Sequence, residues 1–262
     1  MRKNLYSSST VKSLFSEMSK TYGRVNLLAS FGFSLRWRRQ CVLRAGIEPG
    51  HTVYDFMTGM GECLPLITAG NGKPAAIKGV DFCSEMCSQA QVVARGLGLP
   101  DHGAIIEEDV LETSLESDSA DCVVCAFGLK TIDPSDLRTL AHQVSRVLRP
   151  GGKFSFVEIS EPRNPILRLF YLLYVRYLIP LIGFIFLGNP DNYRQLGVYT
   201  REFENCSHAQ EIFESVGLCV RTYSLFFGCA TGLEGWKPEG GSAGKASHLA
   251  PRHRNADGFS GE

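Results

Sequence analysis

Three acidic residues and a glycine-containing loop mark the points where this chain is equipped to bind a ligand. Asp55 precedes the loop 58–61, which contains Gly59 and Gly61, and Asp81 follows 20 residues after that loop. Glycine lets a turn bring its backbone close to a ligand. An acid about 20 residues further on is spaced to hold the hydroxyls of a ribose. With Asp109 after the next apolar run, the pattern predicts a site for an adenosine-containing ligand.

The same residues have a second interpretation as ordinary turn and helix-capping residues. Asp81 stands three positions before Ser84, where a helix is predicted to begin, and aspartate is a preferred cap. For one acid alone the two interpretations are equally good. Three acids at the ends of successive strands favour the ligand site over three unrelated caps.

Strands that alternate with helices would bring these acids together. Apolar runs predict strands at 53–57, 76–81, 103–107, 121–127 and 153–159, and helical spacing predicts helices at 62–69, 84–96 and 134–148. This order is typical of βαβ units around a parallel sheet. Two further helical segments, 11–18 and 25–43, come first, and a strand pair at 218–224 and 225–231 is predicted as an antiparallel addition at the edge.

The chain divides into one α/β domain with two flanking segments. We expect an N-terminal helical lid at 1–45, the ligand-binding domain at 46–232, and a disordered tail at 233–262, where few large apolar residues occur. Within the domain, 166–187 is almost wholly apolar. Because Arg168, Arg176 and Pro180 interrupt it, a buried or substrate-covering helical segment is favoured over a membrane span.

Composition excludes several classes of function. The 27 Lys+Arg balance 27 Asp+Glu, which argues against a nucleic-acid partner. Nine scattered cysteines and no secretory leader indicate a reduced, cytoplasmic protein. Cys122 and Cys125 lie in a predicted strand at a spacing that points them to opposite faces, so core packing is favoured over metal or redox use. We therefore predict no metal site.

Seven stretches give the sequence a family resemblance. They are 15–22 with Asn26, 37–39, 55–61, 79–86, 126–129, 147–152 and 158–162, and the similarity spans about residues 11–230. The sequence resembles class I S-adenosyl-L-methionine (SAM)-dependent methyltransferases, and within them the C-methyltransferases of ubiquinone and menaquinone biosynthesis. The resemblance implies a Rossmann-like α/β fold: a mostly parallel seven-stranded sheet with helices on both faces and N-terminal lid helices.

The same resemblance implies SAM as the cofactor and a role for each matching residue. Gly59 and Gly61 would approach the amino-acid part of SAM, Asp55 its ammonium and Asp81 its ribose. Phe82 and Met86 would flank the adenine, and Tyr22 would cover the methionine end from the lid. The implied set of cofactor-binding residues is Tyr22, Asp55, Gly59, Gly61, Asp81, Phe82, Met86, Asp109, Val110 and Ala126.

The acceptor side departs from the family pattern. Lys130 stands where the quinone-methylating relatives have an arginine, and Val198-Tyr199 replaces an acidic pair. We predict Lys130 and Tyr199 as the catalytic residues, with Lys130 binding an acceptor oxygen at the mouth of the substrate site. A solvated lysine at a strand end is the alternative, since lysines are mostly exposed.

The apolar run suggests what the acceptor would be. The resemblance implies that 166–187 forms a hydrophobic channel or a membrane-facing surface that admits a lipid tail, and ordinary core packing is the alternative. In the first case Arg168, Arg176 and Arg194 would meet head groups or phosphates at the interface. A phenol or quinol ring is favoured, methylated on carbon or oxygen. N-methylation of an amine-bearing lipid and an inactive SAM-binding scaffold subunit are the alternatives. Peripheral membrane contact is expected, and a homodimer is left open.

Overall fold

A computed structural model of the protein describes residues 5–19, 30, 32–70, 73–178, 181, 184 and 190–239. Two helices come first, α1 (Ser8–Met18) and α2 (Phe33–Arg44). Ser7 caps α1 with its hydroxyl, which accepts a hydrogen bond from the Thr10 N–H at 3.3 Å. The predicted lid residue Tyr22 and the tail from residue 240 lie outside the described residues.

The sheet has seven strands in the order β3-β2-β1-β4-β5-β7-β6. Their bounds are β1 Thr52–Phe56, β2 Ala76–Asp81, β3 Ile105–Glu107, β4 Ala120–Ala126, β5 Leu148–Ile159, β6 Cys219–Leu225 and β7 Ala230–Trp236. Neighbouring strands from β3 to β5 pair in parallel, and β7 pairs antiparallel with both β5 and β6. The predicted fold class is confirmed.

Helices follow most strands, as the alternating pattern predicts. Their bounds are α3 Leu64–Thr68, α4 Ser84–Gly96, α5 Leu137–Val147, α6 Pro165–Leu173, α7 Pro190–Phe203 and α8 Ser207–Ser215. The prediction for 84–96 matches α4 at both ends. Gly61 explains one close packing: its φ is +80°, and a Cβ there would lie 3.2 Å from the Ala90 Cα of α4. Glycine therefore lets α4 sit against the loop that follows β1.

Both faces of the sheet are covered, and β4 shows this residue by residue. Cys122 and Val124 belong to an apolar cluster with Val53 and the N-terminal helix α2, through Val42. Cys125 belongs to the opposite cluster, with residues of α5 and α8. The predicted opposite orientation of Cys122 and Cys125 is confirmed, and both side chains are core.

The antiparallel pair is real, but its second strand was predicted five residues too early. A 3-10 turn at Phe226–Gly228 separates β6 from β7, and Phe226 and Phe227 adopt left-handed φ angles of 46° and 56°. The domain also continues to Trp236, so the boundary predicted at residue 232 falls inside β7. Gly235, within the predicted tail, serves close strand packing, since a Cβ there would collide with the Cys219 carbonyl.

The first part of the apolar segment 166–187 lies in α6 and in a π-helical turn at Tyr174–Leu178. Residues 179, 180, 182, 183 and 185–187 lie outside the described residues. Asn164 caps α6 by accepting hydrogen bonds from the N–H groups of Ile166 and Leu167. Leu167 and Tyr171 pack inward against a cluster that contains Trp37. Within the described parts of the chain, we find no helix with the length and apolar character needed to cross a membrane.

Candidate active site

A cleft opens where the carboxyl ends of β1, β2, β3 and β4 meet. With the solvent at its mouth it encloses about 950 Å³. Helix α1 covers one side through Ser8, Val11 and Phe15, which line the cleft. In parallel α/β sheets ligands bind outside the carboxyl ends of the strands, so the cleft is where such a fold places its site.

Asp55 lies at the floor of the cleft, near the end of β1. Its side chain is buried, and its Oδ2 accepts a hydrogen bond of 2.5 Å from the Thr58 hydroxyl. Burial and, to a smaller extent, the nearby Glu62 carboxylate together raise the pKa of this carboxyl to about 7, against the lowering effect of the Thr58 bond and of Arg38. A cationic group placed beside Asp55 would favour its charged form.

Asp81 ends β2 and connects it to the glycine loop. Its Oδ2 accepts a hydrogen bond of 2.9 Å from the Gly59 N–H, and its Oδ1 accepts one of 3.0 Å from the Cys83 N–H. Burial raises the pKa of Asp81 in spite of these bonds. The two carboxylate oxygens keep further lone pairs for the hydroxyls of a ligand.

The remaining cofactor residues divide into two groups. Those that line the cleft with Asp55, Gly59 and Asp81 are Phe82, Met86, Asp109, Val110 and Ala126. Phe82, Met86 and Val110 offer apolar walls that suit an adenine ring. Gly61 does not line the cleft: it lies behind the loop, where it packs on Leu64 and Ala90.

Two residues directly after strand ends have left-handed backbones. Met57 follows β1 with φ 53°, and Phe127 follows β4 with φ 69°. Such conformations are uncommon for side chains of this size and concentrate at functional sites. The two turns touch, since a Cβ at Gly128 would lie 2.6 Å from the Met57 sulfur. Gly128 therefore leaves room for the Met57 side chain.

Lys130 is buried, so the alternative of a solvated lysine is wrong. It lies in the 3-10 turn Leu129–Thr131 after β4 with 3 % of its side chain exposed, and its Nζ is 2.8 Å from Oε1 of Glu158, which is fully buried. Nζ also donates to the Phe127 carbonyl at 2.9 Å. Lys130 does not line the cofactor cleft, because its ammonium is directed into this pair. The arrangement gives it a positioning role for the Phe127 turn.

Tyr199 also lies away from the cleft. It is fully buried in α7, packs with Val11, Leu14 and Met18 of α1, and its hydroxyl donates to the Leu5 carbonyl at 2.5 Å. Burial raises its pKa. Tyr199 therefore anchors α1 to α7, and the structure does not bring it to the predicted catalytic position.

Sequence reasoning missed three cleft residues that the structure supplies. Thr58 bonds to Asp55, and Arg38 of α2 pairs with Glu62 at 2.8 Å. Thr58 and Glu62 flank the glycines and were available as neighbours of the motif. Arg38 lies in the stretch 37–39 that contributes to the resemblance, but its burial against Glu62 could not be predicted, because it depends on how α2 packs over the loop.

The donor set suits the cofactor implied by the resemblance. Asp55 is a buried carboxylate that lacks a directly bonded cation in the described structure, so it fits an ammonium. Asp81 fits ribose hydroxyls, and the apolar side chains beyond it fit an adenine. The described residues contain no group of three or more His, Cys, Asp or Glu side chains arranged to hold a metal ion.

The fold is shared with solved SAM-dependent methyltransferases. A SAM-dependent methyltransferase of Aquifex aeolicus superposes with a TM-score of 0.52 at 18 % identity, covering 81 % of this chain and 96 % of that chain. Phosphoethanolamine N-methyltransferase 2 of Haemonchus contortus, solved with SAM, superposes with a TM-score of 0.53 at 15 % identity, covering 77 % and 52 %. At these identities the likeness concerns the fold.

Sequence similarity places the chain within that class. Residues 3–237 match the ubiE/COQ5 methyltransferase family, and the chain belongs to this family. Among curated relatives, demethylmenaquinone methyltransferase of Staphylococcus aureus (strain JH9) is 26 % identical over 245 residues, which is 93 % of this chain and the whole of that protein. The protein is a SAM-dependent methyltransferase, and SAM is its cofactor.

Proposed function

We propose that this methyltransferase transfers a methyl group to a carbon of a lipophilic quinol-type ring. The observation that carries the proposal is an apolar region that adjoins the cofactor cleft. Leu111, Phe127 and Ile132 line the cleft beside the charged cofactor residues. Membership of the ubiE/COQ5 family and the similarity to a demethylmenaquinone methyltransferase support the same acceptor class.

The chain's own contribution to such a transfer is alignment and exclusion of water. When bound, SAM supplies an electrophilic methyl group. In-line displacement needs the two reacting atoms to be held in line. The ring carbon that gains the methyl group loses its proton, and the carboxylates of Asp133 and Asp136, which line the cleft, would accept it. Asp55, Asp81 and the glycine loop would fix one reactant, and the Phe127 turn would form the wall against which the acceptor ring lies. Helix α1 would close the cleft above both.

A lipophilic acceptor needs a route from a membrane, and α6 offers a surface for that contact. Its inward side packs through Leu167 and Tyr171, whereas the opposite side is apolar and exposed. The exposed side chains of α6 are Ile166, Leu169, Phe170 and Leu173, and Tyr177 of the following π-helical turn is also exposed. An exposed apolar face of this size is typical of contact with a membrane interface or a partner. We propose that α6 lies in the interface and delivers the acceptor.

Vesicle co-sedimentation tests the membrane proposal. Phe170→Asp should abolish most binding to phosphatidylcholine vesicles, because it puts a charge into the apolar face. Val92→Asp is the matched control, since Val92 is equally exposed but lies on α4. Equal binding by both variants would contradict the proposal, and so would a dimer that is lost in Phe170→Asp together with an absence of vesicle binding.

N-methylation is the second candidate, and one observation favours it. Asp136 stands at the N-cap of α5 but its side chain makes no capping hydrogen bond, and the residue lines the cleft. A carboxylate available at the acceptor end would suit an amine. Asp133 lies beside it on the same wall.

A transfer assay with methyl-labelled SAM separates the candidates. The purified protein is incubated with a reduced demethylmenaquinol, its oxidised quinone, and phosphatidylethanolamine in parallel. We expect label in the quinol alone, because oxidation removes the electron-rich ring. Label in phosphatidylethanolamine would favour N-methylation. Calorimetric SAM binding without transfer to any acceptor, including a whole membrane-lipid extract, would favour the scaffold alternative. Asp81→Asn is the site control and should reduce transfer.

A further inference from the structure

Arg38 is a buried arginine that faces the cofactor cleft from α2. Its side chain is 7 % exposed, and its Nη2 donates to Glu62 Oε1 at 2.8 Å. Its guanidinium carbon lies 4.7 Å from the centre of the Phe127 ring. Burying a guanidinium away from water costs free energy unless hydrogen bonds and an opposite charge compensate for the lost hydration. Its placement in the wall of a ligand cleft therefore indicates a role there.

The lining of the cleft carries more acidic than basic side chains. Among the described residues that line it, Arg38 is the one cation. The lining carboxylates are Asp55, Glu62, Asp81, Asp109, Asp133 and Asp136. SAM carries a carboxylate at its methionine end, and that group would enter an acid-rich cleft. It needs a positive partner, because like charges at close range are repulsive.

The position of Arg38 along the cleft matches the methionine end. A Cβ at Gly59 would lie 3.2 Å from Glu62 Oε2, so Glu62, with Arg38 bonded to it, sits over the glycine loop. Phe82 and Met86, which follow Asp81 in the chain, line the same cleft, and the adenine is assigned to them. A ligand whose ribose meets Asp81 would therefore extend its amino-acid part toward Arg38 and Asp55.

We propose that Arg38 binds the carboxylate of the cofactor's methionine end, and that Glu62 positions its guanidinium for this contact. Asp55 and Arg38 then form a complementary pair for the zwitterion, with one charge for the ammonium and one for the carboxylate. The guanidinium has five N–H donors in a planar fork, so a bond to Glu62 is compatible with a bidentate bond to a second carboxylate.

Calorimetric titration with two ligands tests the contact apart from catalysis. The ligands are SAM and decarboxylated SAM, which keeps the adenosine, the sulfonium and the ammonium. Arg38→Met should weaken binding of SAM about 10- to 100-fold, the size expected for loss of a charge-assisted bidentate pair. Binding of decarboxylated SAM should change by less than about threefold. Arg36→Met, an exposed arginine on the same helix, should change neither.

The ligand pair also separates binding from structural damage. If Arg38 acts only by supporting α2 or Glu62, Arg38→Met weakens both ligands equally, and the proposal is overturned. Unchanged binding of both ligands overturns it as well. Arg38→Lys keeps the charge without the fork, so it should lose part of the affinity for SAM and none for the decarboxylated ligand. Thermal unfolding of each variant checks that the fold is intact.

Discussion

The turns after β1 and β4 share a left-handed backbone but differ in how the buried acid beside each of them is paired. The turn after β1 and the turn after β4 each begin with a large residue in a left-handed conformation, Met57 and Phe127. Around the first, Asp55 is buried with a hydroxyl as its hydrogen-bond donor. Beside the second turn, Glu158 is buried and its carboxylate forms an ion pair with the Lys130 ammonium at 2.8 Å.

The difference shows which buried acid is left for a ligand. Asp55 lacks a bonded cation in the described structure, and burial raises its pKa to about 7, so a cationic ligand group would be stabilised there. Glu158 already has its cation, and the pair fixes the Phe127 carbonyl through Lys130. We therefore propose that the β1 turn binds the cofactor, whereas the buried Lys130–Glu158 pair stabilises the β4 turn.

Removing Lys130 should have the largest effect on stability. Lys130→Met leaves the Glu158 carboxylate buried without a partner, and loss of one member of a buried pair costs about 3–5 kcal/mol. Urea unfolding followed by circular dichroism measures the change. Lys130→Arg keeps a charge and should cost much less.

A double variant separates the ion pair from simple packing. Lys130→Met combined with Glu158→Gln removes both charges, and should be more stable than Lys130→Met alone. A double variant that is as unstable as the sum of the two single variants would mean that the pair does not hold the β4 turn. A Lys130→Met protein with wild-type stability would mean the same.

Asp81→Asn should weaken SAM binding with little effect on the fold. The substitution removes the charge that accepts from Gly59 and, we propose, from the ribose. Hydrogen bonds to a charged group contribute about 1.5–3 kcal/mol, so we expect roughly a 10- to 100-fold loss of affinity by calorimetry. Asp101→Asn, which alters a well-exposed carboxylate, is the control. Unchanged affinity in Asp81→Asn would remove Asp81 from the cofactor site.

Gly61→Ala tests whether this glycine serves packing. Gly50 has a similar φ of +84° with open space around it, whereas a Cβ at Gly61 would meet Leu64 at 2.9 Å and the backbone of α4. Gly50→Ala should cost about 1–2 kcal/mol for the left-handed backbone alone. Gly61→Ala should cost about 1–3 kcal/mol more because of overpacking. Equal costs in urea unfolding would contradict the packing role.

The pH dependence of SAM affinity should reveal Asp55. With a pKa of about 7, the free carboxyl is largely protonated at pH 5.5, and only the charged form pairs with an ammonium. Affinity should therefore fall on the order of tenfold between pH 7.5 and pH 5.5. Asp55→Asn should bind more weakly and lose this dependence. A wild-type affinity that is flat over the same range would contradict the assignment.

The same carboxyl affects folding in the opposite sense. Its pKa is raised in the folded state from an ordinary value near 3.8 to about 7, so the folded protein holds a proton that the unfolded chain releases. This group therefore makes the ligand-free protein less stable as pH rises from about 4 to 7, with no further change above that. Urea unfolding of wild type and Asp55→Asn across that range measures it, and parallel curves would contradict it.

The residues of the turn after β1 were easier to predict from the sequence than the contacts of the turn after β4. Asp55, Gly59 and Asp81 were predicted because their positions follow from strand ends and a glycine loop, which are local features, and the structure places all three in the lining of the cleft. The order of elements, the parallel sheet and the opposite orientations of Cys122 and Cys125 also follow from local periodicity.

The structure changes the interpretation where contacts join distant segments. Lys130 and Glu158 are 28 residues apart, so nothing local distinguishes a paired buried lysine from a catalytic or solvated one. Tyr199 packs against α1, which lies far from it in the sequence, and its hydroxyl donates a hydrogen bond to the Leu5 carbonyl. The predicted start of β7 was too early because the turn before it is formed by Phe226 and Phe227, whose left-handed backbone is not the conformation expected of phenylalanine.

The titration of Asp55 itself is the most direct test of the contrast between the two turns. Carbon-13 NMR of side-chain carboxyls, with Asp55→Asn to assign the signal, follows its pKa with and without SAM. We expect a midpoint near pH 7 in the free protein and a clearly lower midpoint in the complex. A midpoint near 4 in the free protein, or one that SAM leaves unchanged, would contradict the claim that this carboxylate awaits a cationic ligand.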